Sequence, residues 1–186
     1  MAYVLAQGIS LIVRPSQGWA EIRESSTPAT GLLMAYGLVF ALLPFLGRSM
    51  GHLALDWPAA NLLLDALLYP AFCLGLVLAL GLVLGAVAPR IDGVDDRTAA
   101  VYLAFYASTP LWVLGLLHAI PSVGVHSLLT AGGVGWCGWL FALGAHDVLD
   151  LPPDKGLVAV GLLFAGFTFA FVLLTQVLLI HLLSGP

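Results

Sequence analysis

Residues 60–88 read ANLLLDALLYPAFCLGLVLALGLVLGAVA, an apolar run with a single charged residue, Asp65. A helix needs about 20 apolar residues to cross the hydrocarbon core of a bilayer. This run is long enough to cross with a tilt or to extend beyond the lipid. It therefore predicts a transmembrane helix.

Four more runs of this kind surround it and set the fold class. The chain is 61% hydrophobic and 9% charged, whereas a soluble domain carries roughly 25% charged residues. We predict an all-α, polytopic transmembrane bundle. One alternative, three true spans with a re-entrant pair, would leave helix-length apolar runs outside a membrane. The five predicted spans, which together form the domain 29–186, lie near 29–48, 60–88, 99–118, 123–145 and 156–183.

The basic residues indicate how the chain is threaded. Positively charged loops of a polytopic protein stay in the cytoplasm. Arg48 lies in a break that we place outside, and the other five fall in alternate breaks that we place inside. The N-terminus is then cytoplasmic and the C-terminus outside. The net charge of −4 predicts no nucleic-acid partner. The five inner basic residues are Arg14, Arg23, Arg90, Arg97 and Lys155.

Residues 1–28 form the one long polar stretch, which we interpret as a cytoplasmic amphipathic segment. Helical spacing puts Trp19 and Ile22 on one face and charged residues on the other. We expect the segment to lie on the bilayer with Trp19 at headgroup level; the alternative is a solvated lead-in. Residues 26–28, Ser-Thr-Pro, have the composition of a helix start.

Asp65 is the sharpest candidate for a functional residue. An Asp at the centre of a membrane helix costs about 2.5–3.5 kcal/mol on the insertion scale, and such residues often mark ion or proton pathways. Asn61 lies one helical turn away on the same face, and Gln176 in the last span is a possible partner. The alternative is that Asp65 lies near the outer surface and is simply hydrated.

Prolines and small residues mark possible kinks and packing faces. Proline leaves a carbonyl without its helical donor, and Ser108 and Thr109 are placed to satisfy the one freed by Pro110. Kinked helices line cavities or shape the bundle, and both remain open. Small residues four apart let helices approach closely, within one chain or between two. The candidate kinks are Pro44, Pro70 and Pro110; the candidate packing pairs are Gly81 with Gly85, Ala131 with Gly135, and Gly161 with Ala165.

Signatures of enzymes and metal sites are missing from the sequence. It contains no His-Glu-x-x-His, no Gly-x-Ser-x-Gly and no phosphate-binding loop. His118 and His126 lack metal-ligand spacing, and the loop acids lack the pattern of a calcium loop. Cys73 and Cys137 fit packing positions. We predict no catalytic residue, no metal and no cofactor.

Four short motifs resemble the bacterial branch of the Yip family, the Ypt/Rab-interacting proteins. The first is Arg14-Pro15 followed by Trp19 and Ile22, and the second is Tyr106-Ala-Ser-Thr-Pro110. The other two are Trp139-Leu-Phe-Ala-Leu-Gly144 and Pro153-Asp-Lys-Gly156.

The resemblance implies five helices, a cytoplasmic N-terminus, a bacterial inner (plasma) membrane location and a role in organising membranes or recruiting partners. The eukaryotic branch acts with small GTPases, but its Asp-Leu-Tyr-Gly-Pro signature and long N-terminal region are missing here, so GTPase binding is not carried over.

Two functions of different kinds follow. The leading hypothesis is a non-enzymatic membrane protein that acts by helix packing with lipids, with itself or with another membrane protein. The alternative is a small ion, proton or solute transporter or channel that uses Asp65, Asn61 and Gln176.

Overall fold

All secondary structure among the described residues is helical, which confirms the predicted fold class. The computed structural model describes residues 2–24, 36–54, 59–120 and 122–152, together with 154, 158, 161, 163–170 and 173. Seven α-helices are named here: α1 Ala2–Val13, α2 Pro15–Glu24, α3 Leu38–Ala54, α4 Ala59–Val87, α5 Arg97–Ala107, α6 Thr109–Gly115 and α7 Val123–Leu149.

Three helical segments are long and apolar enough to cross a membrane: Ala66–Ile91, Arg97–Ala119 and Gly124–Leu149. They correspond to the second, third and fourth predicted spans. The described part of the first predicted span is α3, which runs beyond residue 48 to Ala54 and has a shorter apolar part, Leu38–Gly51. Residues 29–35 of that span lie outside the described residues. Most of the predicted fifth span and the Ser26-Thr27-Pro28 helix start lie outside the described residues, so the number of spans stays a prediction.

The third span lies at the centre of the bundle. Within its most apolar window 61% of the residues are buried, against 39% and 33% in the two other long helices. It consists of α5, α6 and a short 3-10 turn, Leu116–Ala119. α4 packs along α5, α3 packs against α4 and α6, and α7 packs against α5 and α6. α3, α4 and α7 are therefore arranged around this span.

Local sequence sets the boundaries of these helices. The Asp96 side chain accepts hydrogen bonds from the backbone amides of Thr98 and Ala99 and so caps the start of α5. Ser122 caps α7 in the same way through Val125. α7 ends at Asp150, which adopts the left-handed conformation (φ 50°) that commonly ends a helix.

Candidate functional site

The N-terminal hairpin, α1 and α2, packs into the bundle, and this corrects the expected headgroup position of Trp19. Its indole is fully buried, and Nε1 donates a 3.1 Å hydrogen bond to the Leu140 carbonyl of α7. Ile22 is buried beside it. Arg23 donates to the Asp147 carbonyl at 3.5 Å. The amphipathic face of α2 thus covers another helix instead of lipid.

A glycine on α7 makes room for the indole. A Cβ atom at Gly144 would lie 2.5 Å from Cε2 of Trp19 and 2.5 Å from Cδ1 of Leu103. No side chain fits in that space without displacing one of them. Trp19 therefore docks where the α7 backbone is bare, and three elements, α2, α5 and α7, meet at Gly144.

The third span is broken at Ser108, between α5 and α6, as expected from Pro110. Thr109 Oγ1 donates a 2.6 Å hydrogen bond to the carbonyl of Tyr106, which Pro110 leaves without its helical donor. Ser108 Oγ donates to the Ala104 carbonyl at 2.8 Å. Thr109 thus satisfies the carbonyl that Pro110 frees, whereas Ser108 bonds a different carbonyl, that of Ala104.

A chain of buried hydrogen bonds connects this break to the N-terminal hairpin. Thr109 uses its one proton on the Tyr106 carbonyl, so Tyr36 must donate its hydroxyl proton to Thr109 Oγ1. The Tyr106 hydroxyl in turn donates to Gln7 Oε1 at 3.0 Å. Gln7 Nε2 donates to the Glu21 carbonyl at 3.4 Å. The bonds form two runs that share Tyr106. One run leads from Tyr36 through Thr109 to the Tyr106 carbonyl. The other leads from the Tyr106 hydroxyl through Gln7 to the Glu21 carbonyl.

This network has the character of a structural anchor rather than a reactive site. Its side chains are hydroxyls and an amide, and Gln7, Tyr36, Tyr106 and Thr109 are all buried. The ring of Tyr36 also packs on Tyr106 and Phe40 at centroid distances of 4.6 and 4.5 Å. Among the described residues, no group of three His, Cys, Asp or Glu side chains could hold a metal ion.

A narrow cavity of about 80 Å³ lies beside the broken span. Its wall is mostly apolar, and the described lining residues include no carboxylate. Its lining comes from α3, α4, the third span, α7 and the described part of the last predicted span: Pro44, Tyr69, Cys73, Leu76, Val77, Leu80, Ser108, Leu111, Trp112, Gly115, His118, Thr130, Cys137, Phe164, Phe167 and Thr168.

Polar and cationic groups gather at one end of this cavity. The rings of His118 and His126 lie edge to face, 4.8 Å apart between centroids. The Arg48 guanidinium lies over the ring of Tyr69, 4.8 Å from its centroid. The spacing of the two histidines did not show that their rings meet, because they lie on different helical segments and are eight residues apart.

The structure describes only part of the predicted polar site. Asn61 and Asp65 lie in α4, where the backbone is described and their side chains are not. Gln176 lies outside the described residues. The proposed meeting of these three residues therefore stays a prediction.

The predicted kinks differ among the three prolines. Only at Pro110 does the helix break, between α5 and α6. Pro44 and Pro70 lie inside continuous helices, α3 and α4. Pro44 also lines the cavity and faces Gly115, where a Cβ atom would lie 2.6 Å from Cβ of Pro44. Prolines thus contribute both to the shape of the bundle and to a cavity wall.

The predicted packing pairs fall into two groups. Gly81 and Gly85 face α5 within the chain, where a Cβ at Gly81 would lie 2.8 Å from Cα of Val101. By contrast, the other two pairs are exposed, and a Cβ on either of their glycines would meet nothing within 4 Å. These exposed pairs are Ala131 with Gly135 and Gly161 with Ala165.

Comparison with known protein families identifies the chain. The Yip1 domain family matches residues 9–174. The chain belongs to the Yip family. Comparison with curated proteins and with solved structures gave no significant match. The Yip motifs named from the sequence converge in space, since Trp19 of the first motif contacts Leu140 and Gly144 of the third. The second motif contributes Tyr106 and Thr109 to the buried network.

Two members of the buried hydrogen-bond network, Gln7 and Tyr36, were not predicted from the sequence. Gln7 is the one amide in an otherwise apolar α1, and it is 1% exposed. An isolated polar residue in an apolar helix is a signal for a buried hydrogen bond. The contact of Tyr36 with Gly8, where a Cβ would collide with its ring, is visible only in the structure.

Proposed function

We propose that this Yip-family membrane protein is non-enzymatic and organises membranes by self-association. Its contact surface is the small-residue face of α7, defined by Gly124, Ala131 and Gly135. The proposed location is a bacterial plasma membrane with the N-terminus in the cytoplasm. That placement is supported by the alternation of basic loops in the sequence.

The observation that carries the proposal is the exposure of this face. Gly124, Leu128, Ala131, Gly135 and Trp139 recur every three or four residues and all are exposed. Cβ atoms on Gly124 and Gly135 would meet nothing within 4 Å. Lipid gives no hydrophobic drive between helices, so association relies on close backbone approach at small residues. The small members of this stripe, Gly124, Ala131 and Gly135, allow a second helix to approach closely beside the bulky Leu128 and Trp139.

A second copy of the chain is the partner that this surface fits most simply. A two-fold dimer needs one patch that is complementary to itself. Gly135 and Ala131 form a shallow groove, and the exposed Trp136 and Trp139 lie next to it as a bulky ridge. In a dimer, the tryptophan ridge of each α7 can lie in the groove of the other α7, whether the two helices run antiparallel or cross.

Cross-linking in native membranes tests this. Leu128 is 75% exposed on the same face, so Leu128→Cys allows a disulfide between two copies. We expect an oxidant to yield a dimer that Gly135→Leu reduces. Gly75→Leu is the matched control, since Gly75 on α4 is also open and should leave the dimer unchanged.

The results separate three cases. Monomers alone would overturn the proposal. Cross-links to a different membrane protein would overturn self-association in favour of partner recruitment. If Gly75→Leu reduced the dimer as much as Gly135→Leu does, added bulk anywhere on the lipid-facing surface would lower dimerisation. The face of α7 would then not be the contact surface.

A further inference from the structure

The cavity is elongated along the helices. On α4 its lining residues follow one stripe from Tyr69 to Leu80, a rise of about 16 Å at 1.5 Å per residue. The antiparallel third span contributes a facing stripe from His118 back to Ser108. The space between them is therefore a narrow slot that runs parallel to the membrane normal expected from these spans.

The slot suits an apolar chain better than water. One water needs roughly 10–15 Å³ of such volume and two to four polar partners. The space of about 80 Å³ could thus hold roughly six groups of that size. Its polar atoms are sparse, and Ser108 Oγ is already bonded to the Ala104 carbonyl. A short single file of methylene groups fits this shape and this lining.

One end of the slot carries the guanidinium of Arg48, which lies on the ring of Tyr69, a lining residue. α3 also packs against the turn that carries His118, where a Cβ at Gly51 would lie 2.8 Å from the His118 carbonyl. The buried Nδ1 of His118 has no hydrogen-bond partner of normal geometry among the described residues. The guanidinium disfavours a bound metal cation here. It favours an anion that can also accept or share a proton at the imidazole.

We propose that this slot binds an acyl chain of an anionic phospholipid, with the lipid phosphate at Arg48 and His118. The surrounding bilayer supplies this ligand: its phosphate would lie at Arg48, and roughly the first six methylene groups of its chain would lie in the slot. The site lies on the opposite side of α7 from its exposed small-residue face, because Cys137 and Thr130 of α7 line the slot. Lipid binding and self-association can therefore fail separately.

Photo-labelling with defined lipids tests the proposal. The full chain is placed in phosphatidylglycerol liposomes that contain a diazirine-acyl phosphatidylglycerol, or in phosphatidylcholine liposomes that contain the matching phosphatidylcholine probe. Labelled residues are mapped by mass spectrometry. We expect Val77 and Trp112 to be labelled several-fold more by the anionic probe. Leu67, 72% exposed, should be labelled equally by both probes and serves as the internal reference.

Two variants address the two ends of the ligand. Val77→Phe fills the slot and should remove labelling of Trp112 while leaving that of Leu67. Leu82→Phe, on the exposed side of the same helix (50% exposed), is the control and should change neither. Arg48→Gln should abolish the preference for the anionic probe. If Val77→Phe does not fold, Cys137→Phe fills the slot from the opposite wall.

Each other result would overturn the proposal. Labelling confined to exposed residues would show that the slot is empty. Equal labelling of Trp112 by both probes would remove the phosphate site. Equal or stronger labelling of Trp112 by a diazirine fatty acid in phosphatidylcholine liposomes would identify a free carboxylate as the ligand instead of a phospholipid.

Discussion

Replacing Trp19 with alanine should release the N-terminal hairpin while the membrane-spanning helices stay folded. The indole is 0% exposed and donates to the Leu140 carbonyl. α2 contacts the rest of the bundle largely through α7. Loss of this one side chain therefore acts on the attachment of α1 and α2, and not on the packing of α4 against α5.

The size of the effect follows from burial and the lost hydrogen bond. Truncating a buried Phe or Trp to Ala costs about 3–5 kcal/mol. A polar contact between membrane helices adds on average about 0.6 kcal/mol. After release, lipid headgroups can cover the apolar face of α2, and this offsets part of the free-energy cost. We therefore expect the low end, about 3 kcal/mol, or roughly a hundredfold rise in the open population at tenfold per 1.4 kcal/mol.

Trypsin measures the open population in membranes. Arg23 is the cleavable site in the hairpin, because trypsin does not cut the Arg14–Pro15 bond, and cleavage after Arg23 requires local opening. When reclosing is fast, the cleavage rate follows the open fraction, so Trp19→Ala should raise it about a hundredfold. Tyr3→Ala, at a position that is 61% exposed, is the control and should leave the rate unchanged.

A second substitution examines the same contact from α7. Gly144→Ala should also raise the cleavage rate, because its Cβ would lie 2.5 Å from the indole of Trp19. In the Trp19→Ala background it should cost less, since the clash with the indole is gone; the neighbouring Leu103 keeps some cost. Strict additivity of the two changes, or an unchanged rate in Trp19→Ala, would refute the docking described here.

Two further changes examine the core of the bundle. Tyr106→Phe removes the hydrogen bond to Gln7 and should lower the free energy of unfolding by about 0.6–1.7 kcal/mol, from the average to the maximum measured for interhelical polar contacts in membranes. Denaturant titration in mixed micelles measures this free energy. An unchanged free energy of unfolding would show that the bond is not formed. Gly81→Leu should lower the midpoint of the same titration strongly, because a Cβ there would lie 2.8 Å from Cα of Val101. Gly75→Leu, where a Cβ meets nothing within 4 Å, should not; equal midpoints for the two leucine variants would contradict the close approach of α4 and α5.

The helical architecture was accessible from sequence because lipid imposes a strict rule. Every backbone group in the bilayer core must be bonded internally, so apolar runs of sufficient length become helices. The predicted span 60–88 differs from α4, Ala59–Val87, by one residue at each end. The hydroxyl bond at the break was equally accessible, since Thr109, Pro110 and the freed Tyr106 carbonyl are neighbours in the chain.

The position of the N-terminal hairpin was not accessible in this way. The apolar stripe of α2 has the same pattern whether it covers lipid headgroups or a groove on another helix. Only the contact with Leu140, 121 residues later in the chain, distinguishes the two. For the same reason sequence could not decide whether Arg48, His118 and His126 meet, because they lie on three different helical segments.

The long separation between Trp19 and Leu140 also sets an order of events during synthesis. Ribosomes add about 5–20 residues per second, so roughly 6–24 s pass between the appearance of the indole and that of its acceptor, 121 residues later. Throughout this interval α2 exists without the helix that will cover it. Burial of the indole against α7 therefore follows the synthesis of α3 to α6.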